Sequence, residues 1–498
     1  MDSKNSSRVI RQLSGSYSNE DDIAIIGGGA SGMASAYFLI EAGHNPQKIT
    51  IYERNTYLGG HARSLYLHRV SKNELYVIQD YEMAFENEYK DIFLQFKDHN
   101  NTDQRIKVND NPDVIPVDIG VCGFSKNYRN FKNVLSDLKN DEGIPFFELK
   151  YLEEVNRAIH LRNLVLRSDK PMYGQLWRPW NWLRLFRLKK DVKKIVDYYE
   201  EKGMSYLRTV SVRAVLTELK DRSVSQDGLD LLCAFCQVGS GYSNAQFAEI
   251  SGAYLFNFFM LGNFNNAGEN NTIFLYGVSA YLHKLVTYLK EAGVQFKREN
   301  KAAAKHTIYA IQPYDARKLN KALPEITSTK SILYVHCDNF FQGKAGTILS
   351  YGKVNGIALA TWDLDQMRPQ HPDVGAFITF SIPDHESAME ERLYKNDDVL
   401  LLRETMGNGH NLYNGPLKKV WQHAFIDVPA EAIRREIWQN HQGKDGVYYC
   451  SSSYLDCMLH ENAYTSALDV ACMITGAQAK LAEGGFRPSG FSLEIYGE

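Results

Sequence analysis

The chain has 498 residues, of which 44% are hydrophobic and 23% charged, with a formal net charge of -3. Such a chain can bury a large core in two joined domains. Its near-neutral balance supplies no general field for nucleic acid, no nucleic-acid motif or zinc-ligand spacing is present, and no metal is expected. Seven scattered cysteines, an odd number, do not resemble a disulfide framework and fit a reducing compartment.

Residues 1–20 are polar and lack the apolar core of a signal peptide, so they read as a flexible tail on a cytoplasmic protein. Ile23-Ala-Ile-Ile26 then predicts a strand, and Gly27, Gly29 and Gly32 follow it into a helix over 32–42. In such a turn the first glycine permits the bend and the second admits a pyrophosphate close to the backbone. The third lets helix lie on strand, with Ala30, Ser31 and Gly32 at a helix N-terminus that offers free N–H groups to the phosphates. Glu53 closes the next apolar run, where a carboxylate accepts hydrogen bonds from ribose hydroxyls and repels a 2′-phosphate; Arg54 stands beside it. The doublet Gly59-Gly60 points to FAD rather than NAD, because a chain without Cβ atoms can pass close over the phosphate and ribityl arm. His61, Ala62, Arg63 and Ser64 follow, with Arg63 and Ser64 expected to face the cofactor.

Glu53 through Ser64 resembles the acid and glycine-pair signature of the flavin amine oxidase and phytoene desaturase superfamily. Gly59-Gly60-His61 is similar to a bacterial branch of FAD-dependent oxidoreductases that often accompany lipid-modifying methyltransferases. Further matches are Val117-Asp118-Ile119-Gly120 with Tyr128-Arg-Asn-Phe131, the turn Leu275-Tyr-Gly277-Val-Ser-Ala280, Trp421-Gln-His423 and His460-Glu461-Asn462-Ala463. Gly239-Ser-Gly241-Tyr242 with Ala253-Tyr-Leu255 also resembles the substrate region of flavin-dependent polyenoic fatty acid isomerases. The resemblance implies an α/β fold whose Rossmann-like FAD-binding domain, of glutathione-reductase type, is assembled from 21–70, 270–325 and 440–485. A mixed helical and β substrate domain would take 71–269 and 326–439. The resemblance also aims a helix N-terminus at the flavin, placing His460, Glu461, Asn462, Ala463 and Ser466 against it. For His460 and Glu461 the alternative is a cap and a first-turn acid.

Leu176–Lys190 packs three tryptophans and five cations into fifteen positions. It reads either as an amphipathic helix on the substrate domain or as a peripheral membrane element, with rings at headgroup depth and Arg184, Arg187, Lys189 and Lys190 on anionic lipid. A helical block is expected over 125–265. Within it, Cys233 and Cys236 read as buried small residues rather than a redox pair. Phe247–Phe264, with Tyr254, Phe256, Phe258, Phe259 and Met260, reads as core or as the lining of an acyl tunnel with Tyr242 at its flavin end. No stretch reaches the ~20 apolar residues that span a bilayer. Lys297–His306 is shorter than the β-meander the superfamily places there, and a β-rich block is expected over 330–425.

The resemblance implies hydride abstraction from an unsaturated acyl lipid by a bound flavin, ending in desaturation or double-bond isomerisation, with Tyr242 and His460 as catalytic candidates. Amine oxidation with Lys330 or Lys344 beside the flavin, carotenoid-type desaturation and a non-catalytic flavoprotein are the alternatives.

Overall fold

The computed structural model describes residues 8–71, 74–87, 91–98, 100–120, 124, 127–138, 149–151, 157–160, 165–167, 179–240, 242, 244–261, 272–274, 276–298, 304–337, 347–354, 357–363, 376–381 and 417–497. Short apolar runs from three distant stretches make one parallel sheet. Its strands β1 (Ile23–Ile26), β2 (Ile49–Tyr52), β13 (Gln295–Lys297), β14 (His306–Tyr309) and β20 (Val447–Tyr449) run in the order β13-β2-β1-β14-β20. The inner strands β1, β2 and β14 are almost wholly buried, as parallel strands covered by helices must be. Register places Ile26 beside both Tyr52 and Tyr309, and Tyr309 beside Tyr449. The loops that follow these four residues therefore open along one edge of the sheet.

Helices α1 (Ala30–Glu41), α8 (Val278–Ala292) and α11 (His460–Thr475) pack about this sheet, with α1 lying against both others. Helix α1 begins at Ala30 rather than Gly32, because Gly29 is extended and serves as its N-cap.

Outside this sheet the chain is richer in strands than its hydrophobic pattern suggests. β3 (Ser64–Ser71), β4 (Glu74–Ile78) and β8 (Val114–Asp118) form one antiparallel sheet, and β5 (Glu82–Glu86), β6 (Asp91–Lys97) and β7 (Asp103–Lys107) a meander. The expected helical block starts with α2 (Arg129–Asp137) but is then interrupted by β9 (Leu149–Tyr151), β10 (Arg157–His160) and β11 (Val165–Arg167). It continues as α3 (Pro179–Leu207), α4 (Val212–Asp221), α5 (Gln226–Ser240), α6 (Asn244–Glu249) and α7 (Gly252–Leu261). β9 pairs with β12 (Thr272–Phe274). β10 and β11 join the later strands β15 (Ser328–Cys337), β16 (Thr347–Val354), β17 (Ile357–Asp363), β18 (Ala376–Ser381) and β19 (Leu417–Ala424) in a seven-stranded sheet. Short, widely separated partners such as β10 and β16 leave no local periodicity to read.

The flexible-tail expectation fails for residues 8–20. Ile10 is 1% exposed, its N–H donates to Gln478 Oε1 at 2.7 Å, and Leu13 N donates to Met473 O at 2.8 Å. One buried isoleucine and a backbone pairing suffice to hold this polar stretch against the C-terminal helices α12 (Gln478–Glu483) and α13 (Gly490–Tyr496), which follow α9 (Pro313–Leu319) and α10 (Val428–Asn440) in the chain. Residues 1–7 lie outside the described residues. Cys233 and Cys236 are buried on α5 and outside any disulfide, and burial pushes the Cys236 thiol well up, as inert packing residues require. Phe256 is buried beside Tyr198 and Tyr199, so the middle of α7 is core. Phe258 and Met260 are only partly covered. Among the described residues no helix is long and apolar enough to cross a membrane.

Candidate functional site

The glycines after β1 differ in what forces them. Gly27 has φ +113° and a Cβ there would meet Ala310 O at 2.5 Å; a Cβ on Gly32 would stand 1.9 Å from Gly27 O. Both are required by the protein's own packing, the first to turn the chain and the second to seat α1 on the loop. Gly29 is different: its φ is -82° and a Cβ would find nothing nearer than Gly60 Cα at 3.8 Å. Packing therefore does not demand a glycine at 29, which stands where the N-terminus of α1 offers N–H groups that its N-cap residue leaves uncapped. Ala30 and Ser31, in that first turn, are nearly buried.

Opposite stands the glycine doublet. Gly59 N donates to Gly28 O at 2.9 Å, and Gly59 and Gly60 both have positive φ, +107° and +59°. The Glu53 carboxylate accepts from Gly28 N and from Asn55 N, each at 2.8 Å, which ties the acid after β2 to the glycine loop. Arg54 projects outward, its side chain 73% exposed and 3.7 Å from Asp315. Ala62 closes the turn, its N–H donating to Gly59 O. These features meet a dinucleotide's needs: an uncapped helix N-terminus, room for phosphate against Gly29, and a carboxylate at the end of the second strand.

Arg63 is buried with its guanidinium 3.8 Å above the Tyr57 ring, 5.9 Å from the Tyr81 ring and 3.6 Å from Asp80. Tyr57 and Tyr81 were not read from the sequence, since nothing local marks rings brought together by the β3–β4 excursion. Ser64 is a correction. Its hydroxyl donates to Asp118 Oδ1 at 2.6 Å and accepts from Ser279 N, while Val278 N donates to the same carboxylate oxygen at 2.8 Å. Ser64 and Asp118 thus fasten β3, β8 and the start of α8 together rather than facing a ligand. Gly277 is needed there because a Cβ would stand 2.4 Å from Ser64 Oγ.

His61 has free surface although burial lowers its pKa, the combination expected of a side chain lining a cleft. Its ring centroid lies 4.8 Å from that of Trp421, and Trp421 Nε1 donates to Ile119 O. His423, two residues on along β19, points to the same face and is nearly buried. Burial and the neighbouring His61 pull its pKa down to about 4, so it is neutral near pH 7. The sequence singled out Trp421 and His423 but gave no sign that they meet His61. Lys330, directly opposite Gln422, lies on the other face of that sheet and is exposed. Lys344 lies outside the described residues.

Both catalytic candidates are engaged by contacts within the fold. Tyr242 is fully buried, its hydroxyl donating to Ala424 O at 2.9 Å and accepting from Ile426 N at 3.2 Å. Both contacts hold the end of β19. His460 sits in a ring of aromatics, with Phe131 at 4.7 Å, Tyr464 at 5.1 Å and Phe124 at 5.4 Å between centroids. Burial there lowers its pKa to about 3, leaving a neutral packing residue. Glu461 is also turned away from the sheet edge: its carboxylate accepts from Asn130 N at 2.8 Å and Phe131 N at 3.0 Å, capping α2. Burial outweighs those bonds and raises its pKa to about 7. Asn462 donates to Cys457 Sγ, Ala463 is nearly buried, and Ser466 donates back to Ala463 O within the helix. The N-cap residue of α11, Leu459, supplies no side-chain cap.

Comparison with known proteins bears on this arrangement. Residues 25–83 match the family model of an NAD(P)-binding Rossmann-like domain. No curated protein matches by sequence. Among solved structures, cyclohexylamine oxidase from Brevibacterium oxydans is 14% identical over 92% of this chain and 99% of its own, with a TM-score of 0.55. Wild-type putrescine oxidase bound to putrescine is 14% identical over 93% and 99%, with a TM-score of 0.54. The CLA-producing fatty acid isomerase from P. acnes is 14% identical over 91% and 98%, with a TM-score of 0.56. The chain thus shares its overall fold with these two oxidases and this isomerase, and its residues 25–83 match a Rossmann-like dinucleotide-binding domain.

Proposed function

We propose that the protein is an FAD-dependent oxidoreductase acting on an unsaturated acyl lipid. Gly29, Gly59, Gly60, the N-terminus of α1 and Glu53 would hold the dinucleotide, and the uncapped N-terminus of α11 supplies a positive dipole end at the same sheet edge. When bound, a flavin supplies a hydride acceptor, so the protein need only orient a C–H bond and exclude water.

The observation that carries the acyl reading is the wall opposite the glycine doublet. There β19 presents Trp421 and neutral His423 to His61, backed by Tyr242, whereas Lys330 occupies the far face of the sheet. An uncharged apolar wall suits an alkene or methylene chain, and the same ring faces would also attract an ammonium ion. Amine oxidation is the second reading, favoured by the two neighbours that are amine oxidases.

Incubation of the FAD-loaded protein with unsaturated fatty acids and phospholipids, followed by mass spectrometry, tests both readings. The expected product is lighter by two hydrogens, or of equal mass with a shifted double bond. Unchanged lipids together with hydrogen peroxide release from an amine would reverse the order of the two.

A further inference from the structure

The first turns of α3 carry a surface that the site does not use. Leu188, Asp191, Ile195 and Tyr198 recur at helical spacing and are buried, which fixes the inward stripe. On the opposite side Trp182 and Phe186 stack with ring centroids 6.1 Å apart, Phe186 is 60% exposed, and Leu183 beside them is 63% exposed. Lys189, Lys190 and Lys193 are exposed around these rings, with Arg184 and Arg187 on the same turns. Asp191 is the single acid between Pro179 and Val196, and it is buried against Ser225. Lys194 reaches back to the carbonyls of Arg222 and Ser223 and takes no part. The exposed face therefore combines apolar side chains standing clear of the protein with an excess of cations, Asp197, one turn beyond Lys193, being the exposed acid that follows them on this helix.

We infer that this face of α3 docks the protein on an anionic membrane surface, with Leu183 and Phe186 entering the headgroup layer and Lys189, Lys190 and Lys193 meeting lipid phosphates. Charge decides between occupants. A second copy meeting the first through the same patch would set cations against cations, whereas an anionic bilayer offers both the apolar depth and the counter-charge. The inference deepens the acyl reading by giving the substrate a source, but docking is measured without turnover, so each can fail alone.

The test is flotation of the full-length, FAD-loaded protein with phosphatidylcholine vesicles, with and without phosphatidylglycerol. Binding is expected only where phosphatidylglycerol is present, weakening with salt and dropping by about tenfold or more in L183S/F186S and in K189E/K190E. Turnover of a soluble short-chain substrate should stay unchanged in both variants, which also shows that they fold. The inference is overturned if the protein does not float, or if flotation survives both variants. It is equally overturned if L183S/F186S breaks an oligomer and leaves vesicle binding intact.

Discussion

Two helix N-termini open on the same edge of the parallel sheet, and they differ in how freely they can meet a ligand. The start of α1 is bare: its cap is a glycine, its first turn holds no acid, and a Cβ on that glycine would touch nothing closely. The start of α11 is crowded, with His460 enclosed by aromatic rings and Glu461 spent on the backbone of α2. Openness at α1 has no use within the fold, which marks it as the place where a ligand comes close. At α11 the side chains serve packing, and only the backbone end is left for a ligand.

The sharpest way to break this comparison is to add carbon to two glycines of one loop. Gly32→Ala puts a methyl 1.9 Å from Gly27 O, so backbone must move; a loss of about 3 kcal/mol is expected in denaturant unfolding. Gly29→Val meets no close contact, the nearest atom to its Cβ being Gly60 Cα at 3.8 Å, and an extended backbone that valine favours, so the flavin-free protein should lose only the roughly 1 kcal/mol of a poorer N-cap while FAD retention is lost. A yellow Gly29→Val protein with unchanged affinity would remove the phosphate from that turn.

That contrast also shows what the sequence makes legible. The glycine turn, Glu53 and the doublet lie within one short stretch, where each residue type has a local backbone reason, and the parallel strands are compact apolar runs. His460, Glu461 and Tyr242 depend instead on partners far away in the chain, at Phe131, Asn130 and Ala424. No window of sequence contains both members of such a pair, so spacing alone makes a helix-start histidine and acid look like ligand contacts. The His61–Trp421 contact escaped for the same reason.

Glu461 offers the next largest effect. Its folded pKa of about 7 lies above the ordinary 4.5, so the folded protein holds a proton that the unfolded chain releases first. Stability from this group is complete below the unfolded value, declines as pH rises from the unfolded value to about 7, and then levels, a loss of about 3 kcal/mol. Urea unfolding of wild type and Glu461→Gln across that range measures it. The difference between the two curves should change with pH, and parallel curves would mean that Glu461 is not held neutral by its burial against α2.

Tyr242→Phe removes a hydroxyl that serves two backbone groups, and the expected loss is about 1–3 kcal/mol of stability. Turnover measured below the new melting point should hold, whereas a proton-transfer role would cost about 10²–10⁴ in kcat.

The smallest effect belongs to Lys330→Met. Strand alternation sets Lys330 on the face away from Trp421 and His423, where it is exposed. Neither acyl turnover nor flavin reduction should change, and the melting temperature should move little because an exposed charge contributes little. The value of so small an effect lies in its asymmetry. Silence at Lys330 fits an uncharged wall on β19, whereas lost turnover with FAD still bound would place this amine at the reacting centre and make an amine the better substrate class.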